Sequence, residues 1–65
     1  MNTVILFKTS KGYEFSPIFQ GHTEETLDEY EKKVRENCKD ILYSKRFSSF
    51  LDMKKYIKEQ TENAP

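Results

Sequence analysis

Two side chains have the types that form a nucleophile–base pair: Cys38, the single cysteine, and His22, the single histidine. A cysteine nucleophile needs a neighbouring base or cation that stabilises its thiolate. The two residues are far apart in sequence, and one cysteine with one histidine cannot supply the four ligands of a structural zinc site. We therefore expect structural roles, with Cys38 as a small apolar residue on the buried face of a helix. The sequence predicts no enzyme, metal or cofactor.

A group of carboxylates over residues 24–31 has the chemistry to hold a cation or to transfer protons. Neighbouring carboxylates on a helix without a histidine or backbone ligands are usually a solvated face. We expect that role for Glu24, Glu25, Asp28, Glu29 and Glu31.

Bases and aromatic residues over 43–58 form a candidate nucleic-acid site. Cations neutralise phosphates and aromatic rings stack on unpaired bases, so this composition is typical of binding to RNA or single-stranded DNA. However, the chain has 11 basic and 11 acidic residues and a formal net charge of zero, which argues against a strongly basic binder. Nucleic-acid binding is therefore the alternative function, with candidate residues Tyr43, Lys45, Arg46, Lys54, Lys55 and Lys58.

The first twenty residues predict a β-hairpin. Residues 3–9 and 13–19 are rich in β-branched and aromatic types, and they flank a short turn that contains Gly12. Pro17 cannot donate to a strand ladder, so the second strand is expected at an edge or broken at Pro17. The first strand is apolar on both faces, which predicts a central strand or one whose outer face meets a partner.

Two arrangements of the outer sheet face remain open. A second helix covers it, or it is an exposed apolar patch that binds a protein partner or a second copy of the chain. In the second arrangement the candidate protein-binding residues are Val4, Leu6 and Ile18.

The block over residues 23–38 predicts an amphipathic helix. Thr23 or Thr26 can cap its start, and acidic residues suit its first turn. Apolar residues recur at three- and four-residue steps and form one stripe that faces the sheet. That stripe comprises Leu27, Tyr30, Val34, Cys38 and Ile41.

The remaining chain predicts a strand and a short helix. Residues 41–47 either extend the first helix or form a third strand, and we favour the strand. Ser49 and Asp52 resemble a helix start, and the apolar positions after them predict a helix to about residue 59. The fold class is therefore α+β: a β-β-α-β-α domain over 1–59, with a mainly antiparallel sheet packed by one long and one short helix. Residues 60–65 are expected to be a polar, flexible tail.

Part of the chain resembles the HicB antitoxin family. The resemblance consists of Lys11-Gly12-Tyr13 in a hairpin, Gly21, and Thr26-Leu27-Asp28-Glu29 near a helix start, and it covers residues 3–38. The chain departs from the family in lacking a third strand before the helix and a Pro-Gly-Cys-like corner. The resemblance implies a protein-binding role.

We thus expect a small non-enzymatic binding protein: an adaptor, an inhibitor, or an antitoxin-like or phage-like accessory factor. A single cysteine suits a reducing compartment, so the cytoplasm is the expected location. The longest apolar run, residues 4–7, is too short to span a bilayer, and no membrane association is expected.

Overall fold

A computed structural model describes residues 2–62 of the chain. Its elements follow the order β-β-β-α-β-α, which confirms the predicted α+β class and adds one two-residue strand. The elements are β1 (Asn2–Thr9), β2 (Gly12–Phe15), β3 (Phe19–Gln20), α1 (Glu24–Asn37), β4 (Ile41–Phe47) and α2 (Phe50–Glu62).

β1 is the central strand of an antiparallel sheet, as its doubly apolar sequence predicts. Leu6 lies opposite Phe15 of β2 and also opposite Lys45 of β4, so β2 and β4 flank β1. Thr3 lies opposite Phe19 of β3. The predicted break at Pro17 is also confirmed, because β2 ends at Phe15 and pairing with β1 resumes only at β3.

The two helices cover opposite faces of β1. Successive side chains of a strand point to opposite faces. Val4 and Leu6 therefore pack against Met53 of α2, whereas Ile5 and Phe7 form a second cluster with Leu27 of α1. The sheet is consequently the middle layer, with a separate apolar core on each side.

Local hydrogen bonds define the helix ends near their predicted positions. The Thr23 hydroxyl accepts from the Thr26 amide at 3.3 Å and caps α1, and the Cys38 amide donates to Val34 at its other end. The Ser49 hydroxyl accepts from the backbone N–H of residue 52 at 3.1 Å and caps α2. Thr23, rather than Thr26, is therefore the N-cap of α1.

The strand preferred for residues 41–47 is present as β4. α2 continues to Glu62, so residues 60–62 of the segment expected as a tail are helical. Residues 63–65 of that segment lie outside the described residues. The third strand thought to be lacking before the helix exists as β3, two residues long.

Candidate protein-binding surface

The expectation of an exposed patch at Val4 and Leu6 is wrong. Their exposed fractions are 1% and 0%, because α2 returns across that face and places Met53 against them. Of the three predicted protein-binding residues, only Ile18 is exposed, at 52%. The alternative, in which the second helix covers the face, describes the structure.

An exposed apolar surface lies instead where α2 begins. We call Phe15, Ile18, Phe50 and Leu51 the α2 patch. The Phe15 ring, 54% exposed, meets the Phe50 ring edge-on with centroids 5.3 Å apart. Ile18 and Phe50 line one small cleft, and Leu51 is 73% exposed. Sequence reasoning did not single out Phe15, Phe50 or Leu51, because helical period alone does not show where the sheet beneath a helix ends.

Two open grooves join the α2 patch to the lysines of α2. One has a volume of about 400 Å³ and is lined by Phe15, Phe50, Met53, Lys54, Ile57 and Lys58. The other, of about 570 Å³, is lined by Leu51, Asp52, Lys54, Lys55 and Lys58. The Lys54 ammonium lies 5.7 Å from the centre of the Phe50 ring. The surface therefore combines exposed apolar area with a positively charged rim.

The predicted nucleic-acid residues do not share one face. The Lys45 ammonium lies 4.8 Å from the centre of the Tyr56 ring, on the α2 side of the sheet. Arg46 points to the opposite side, where its guanidinium donates to Glu31 at 2.5 Å and also to Asp28. The hydrogen bond to Glu31 raises the pKa of Arg46 most, and the hydrogen bond to Asp28 raises it further. The remaining lysines, Lys54, Lys55 and Lys58, lie on α2.

Three tyrosines and two lysines, Lys8 and Lys45, meet on the α2 face of the sheet, in a row that crosses β2, β1 and β4. The Tyr43 and Tyr56 hydroxyls are 3.1 Å apart, and the Lys8 ammonium lies 4.3 Å from the centre of the Tyr13 ring. Strand register places Lys8 between Tyr13 and Tyr43. Hydrogen bonding to Tyr56, and then to Tyr13, raises the pKa of Tyr43 well above its usual value.

Sequence reasoning missed Lys8 and Tyr13 as members of this cluster. Alternation along β1 places Lys8 on the same face as Leu6, and this was the sequence signal that could have identified Lys8.

Cys38 and His22 lie at opposite ends of α1. Cys38 ends α1 and is partly buried, and the His22 ring packs edge-on against Phe19 with centroids 4.9 Å apart. Within residues 2–62, no three side chains of the metal-ligating types converge. In the same part of the chain, no helix has the length and apolarity needed to cross a bilayer.

We compared the chain with protein-family models, with curated proteins and with solved structures, and none of the three comparisons finds a match. The resemblance to HicB therefore rests only on the hairpin and helix-start residues quoted above.

Proposed function

We propose that this protein is a small non-enzymatic adaptor or inhibitor that acts in the cytoplasm by binding another protein through the α2 patch. The observation that carries this proposal is the exposed Phe15 ring against the half-buried Phe50 ring, with the exposed Leu51 next to Phe50 in the chain. Contiguous exposed apolar side chains with a polar rim are typical of protein-interaction sites. Full burial of one such side chain contributes about 1.5–3 kcal/mol, so two anchors support a specific contact.

The charge around the α2 patch favours an acidic amphipathic segment as the partner. Lys54 and Lys58 line the groove whose floor is formed by Phe15, Phe50 and Met53. An apolar stripe on the partner would cover the aromatic side chains, while its carboxylates would meet the lysines. Such charge complementarity raises the association rate and excludes partners of the wrong sign.

Binding to RNA or single-stranded DNA has less support. Arg46 is engaged by Asp28 and Glu31 on the α1 side, away from Lys45. A backbone-tracking site needs cations along one continuous groove. Nucleic-acid binding is therefore the alternative that the experiment must distinguish from protein binding.

The test is an affinity capture with the tagged full-length chain from lysate of its source cells, with and without nuclease. The decisive variant is Leu51→Glu, which places a carboxylate in the α2 patch. Leu42→Glu is the matched control, because Leu42 is 63% exposed but lies on β4, outside the patch. Candidates are then titrated as purified proteins by calorimetry.

We expect to capture one protein in stoichiometric amount, with or without nuclease. It should bind the wild type and the Leu42→Glu variant with equal affinity. Its affinity for the Leu51→Glu variant should be at least about tenfold lower, or about 1.4 kcal/mol. Equal affinities of the two variants would reject the α2 patch. Recovery of material that disappears with nuclease, and whose affinity falls steeply with salt, would instead establish the nucleic-acid alternative.

A further inference from the structure

Side chains of β1, β2, β4 and α2 form a cluster of hydrogen-bond donors. We call it the tyrosine–lysine row, and it comprises Tyr13, Lys8, Tyr43, Lys45 and Tyr56. The Tyr43 hydroxyl is 3.1 Å from the Tyr56 hydroxyl and also interacts with the Tyr13 hydroxyl. Each hydroxyl has one proton, and the two contacts within the row use two of the three. Tyr43 is 37% exposed, so the remaining proton is available to an acceptor from solution.

The two lysines of the row are not paired with a carboxylate. Every ion pair among residues 2–62 has Arg46 or Lys58 as its cation. Lys8 lies opposite Tyr43, and Lys45 lies two residues further along β4 on the same face, so the lysines are diagonal neighbours. Diagonal neighbours on one face of a sheet are about 7–8 Å apart. Two like charges at this spacing repel each other, and an anion bound between them would remove that repulsion.

The aromatic rings at both ends of the row already have partners. The Lys8 ammonium lies 4.3 Å from the centre of the Tyr13 ring, and the Lys45 ammonium lies 4.8 Å from the centre of the Tyr56 ring. The Tyr56 ring also packs against Phe47, with centroids 5.4 Å apart. An unpaired base would have to displace such contacts before it could stack on these rings. The hydroxyls and ammoniums are therefore the groups that remain for a ligand.

We propose that the tyrosine–lysine row binds the phosphate monoester group of a ligand, with an ammonium on each side and the phenol hydroxyls donating to its oxygens. Such a group has a charge of about −1.5 to −2 at neutral pH and three strong acceptor oxygens. It neutralises both lysines, whereas a carboxylate or a phosphodiester has a single charge. The raised pKa of Tyr43 keeps that phenol protonated, as a donor, at neutral pH. The row shares no residue with the α2 patch and is a second binding surface.

Nuclear magnetic resonance of the tyrosine rings tests the site, because three of the four tyrosines of the chain belong to the row. Tyr30 is the internal control, since it packs on the α1 side of the sheet. Methyl phosphate is added to the full chain, labelled in its tyrosine rings, up to about 10 mM at constant ionic strength. We expect saturable shifts of the three row tyrosines and none of Tyr30. Dimethyl phosphate, the matched diester, should bind at least about tenfold more weakly.

Variants separate this site from general surface charge. Lys45→Gln should lower the affinity for methyl phosphate at least about fivefold, because it removes one of the two cations. Lys33→Gln, the same change at an exposed position of α1, should leave the affinity unchanged. Tyr43→Phe removes the central hydroxyl and should also weaken binding. The ring spectrum of each variant shows whether it is folded.

Further titrations distinguish the sources of the phosphate group: a phosphoserine peptide, a nucleoside monophosphate, and single-stranded DNA without a terminal phosphate. Tighter binding of either monoester than of methyl phosphate would support the proposal and identify the ligand class. Tighter binding of the DNA would overturn it in favour of phosphodiester contacts. Absence of any shift up to the highest concentration would also overturn it. So would equal binding of dimethyl phosphate, a Tyr30 shift as large as those of the row, or equal effects of the two glutamine variants.

Discussion

The Ser16 hydroxyl accepts a hydrogen bond from the backbone N–H of Ile5 at 2.9 Å. The Ser16 amide donates to the Ile5 carbonyl, also at 2.9 Å, and its hydroxyl donates to the Pro17 carbonyl at 2.8 Å. The Ser16 side chain thus pairs the backbone N–H of Ile5, in the central strand, at the point where Pro17 interrupts the ladder. Residues 12–20 can therefore follow β1 without leaving a buried donor unpaired.

Replacing this hydroxyl should weaken the fold. Ser16 is buried, and Ser16→Ala leaves the Ile5 N–H without its partner, which costs about 1–3 kcal/mol of unfolding free energy. Urea denaturation followed by circular dichroism measures the loss. Ser48→Ala, at an exposed serine, is the control and should stay within about 0.5 kcal/mol of wild type. Equal losses in the two variants would show that the bond to Ile5 contributes nothing specific.

Met53 closes the core between β1 and α2. Its side chain has no exposed area and packs against Val4 and Leu6. Met53→Ala should lower the unfolding free energy by about 2–5 kcal/mol, from lost burial and the cavity left behind. Leu51→Ala, two residues earlier on the same helix but exposed, should change it by less than about 0.5 kcal/mol. A small effect of Met53→Ala would mean that α2 is not packed on this face.

A carboxylate beneath α2 should unfold the domain rather than only remove partner binding. Leu6→Glu would bury an unpaired charge in the cluster that contains Met53. Circular dichroism at neutral pH should show loss of secondary structure. If the Leu6→Glu variant stays folded and loses only partner binding, the arrangement with an exposed apolar patch on the outer sheet face would be the correct one.

Arg46 connects β4 to α1 through its bonds to Asp28 and Glu31. Its side chain is 29% exposed, so Arg46→Ala should cost about 1 kcal/mol, less at high salt. Lys58→Ala removes an exposed pair with Glu62 at 3.9 Å and should have no measurable effect. Thermal melts at low and high salt compare the variants. If the Arg46→Ala loss is the same at both salt concentrations, packing rather than charge explains it.

Tyr43 should make the fold less stable in alkali. Its folded-state pKa is raised, so the unfolded chain loses this proton first as pH rises above about 10. The contribution of Tyr43 is therefore fully present below about pH 10 and is lost as pH rises toward its folded-state pKa. Tyr43→Phe should flatten the fall in unfolding free energy between about pH 10 and 12.

Tyr56→Phe is the companion variant, because it removes the main hydrogen-bond partner of Tyr43 and should lower the pKa of Tyr43 toward its usual value. Ultraviolet titration of phenolate absorbance measures that shift. An unchanged alkaline slope in Tyr43→Phe would reject this explanation.

The candidate surface was only partly predictable from sequence. Ile18 was expected to be exposed and is, whereas Val4 and Leu6 are buried. Alternation shows that two residues share a face of β1 but carries no information on which helix lies over that face. Phe15 and Leu51 became candidates only when the position of α2 over the sheet was known.

The sequence by itself indicated the local elements: a cap at Thr23 or Thr26, an edge or a break at Pro17, a favoured strand over 41–47 and a helix start after Ser49. The structure then chose Thr23, the break and the strand. These features depend on contacts between residues close in the chain, such as a hydroxyl and an amide three positions apart. Tertiary structure alone decided that α2 buries Val4 and Leu6, that Arg46 meets the carboxylates of α1, and that β4 pairs with β1. Those outcomes depend on which surfaces meet across long sequence separations, and one helical or strand period is compatible with several such packings.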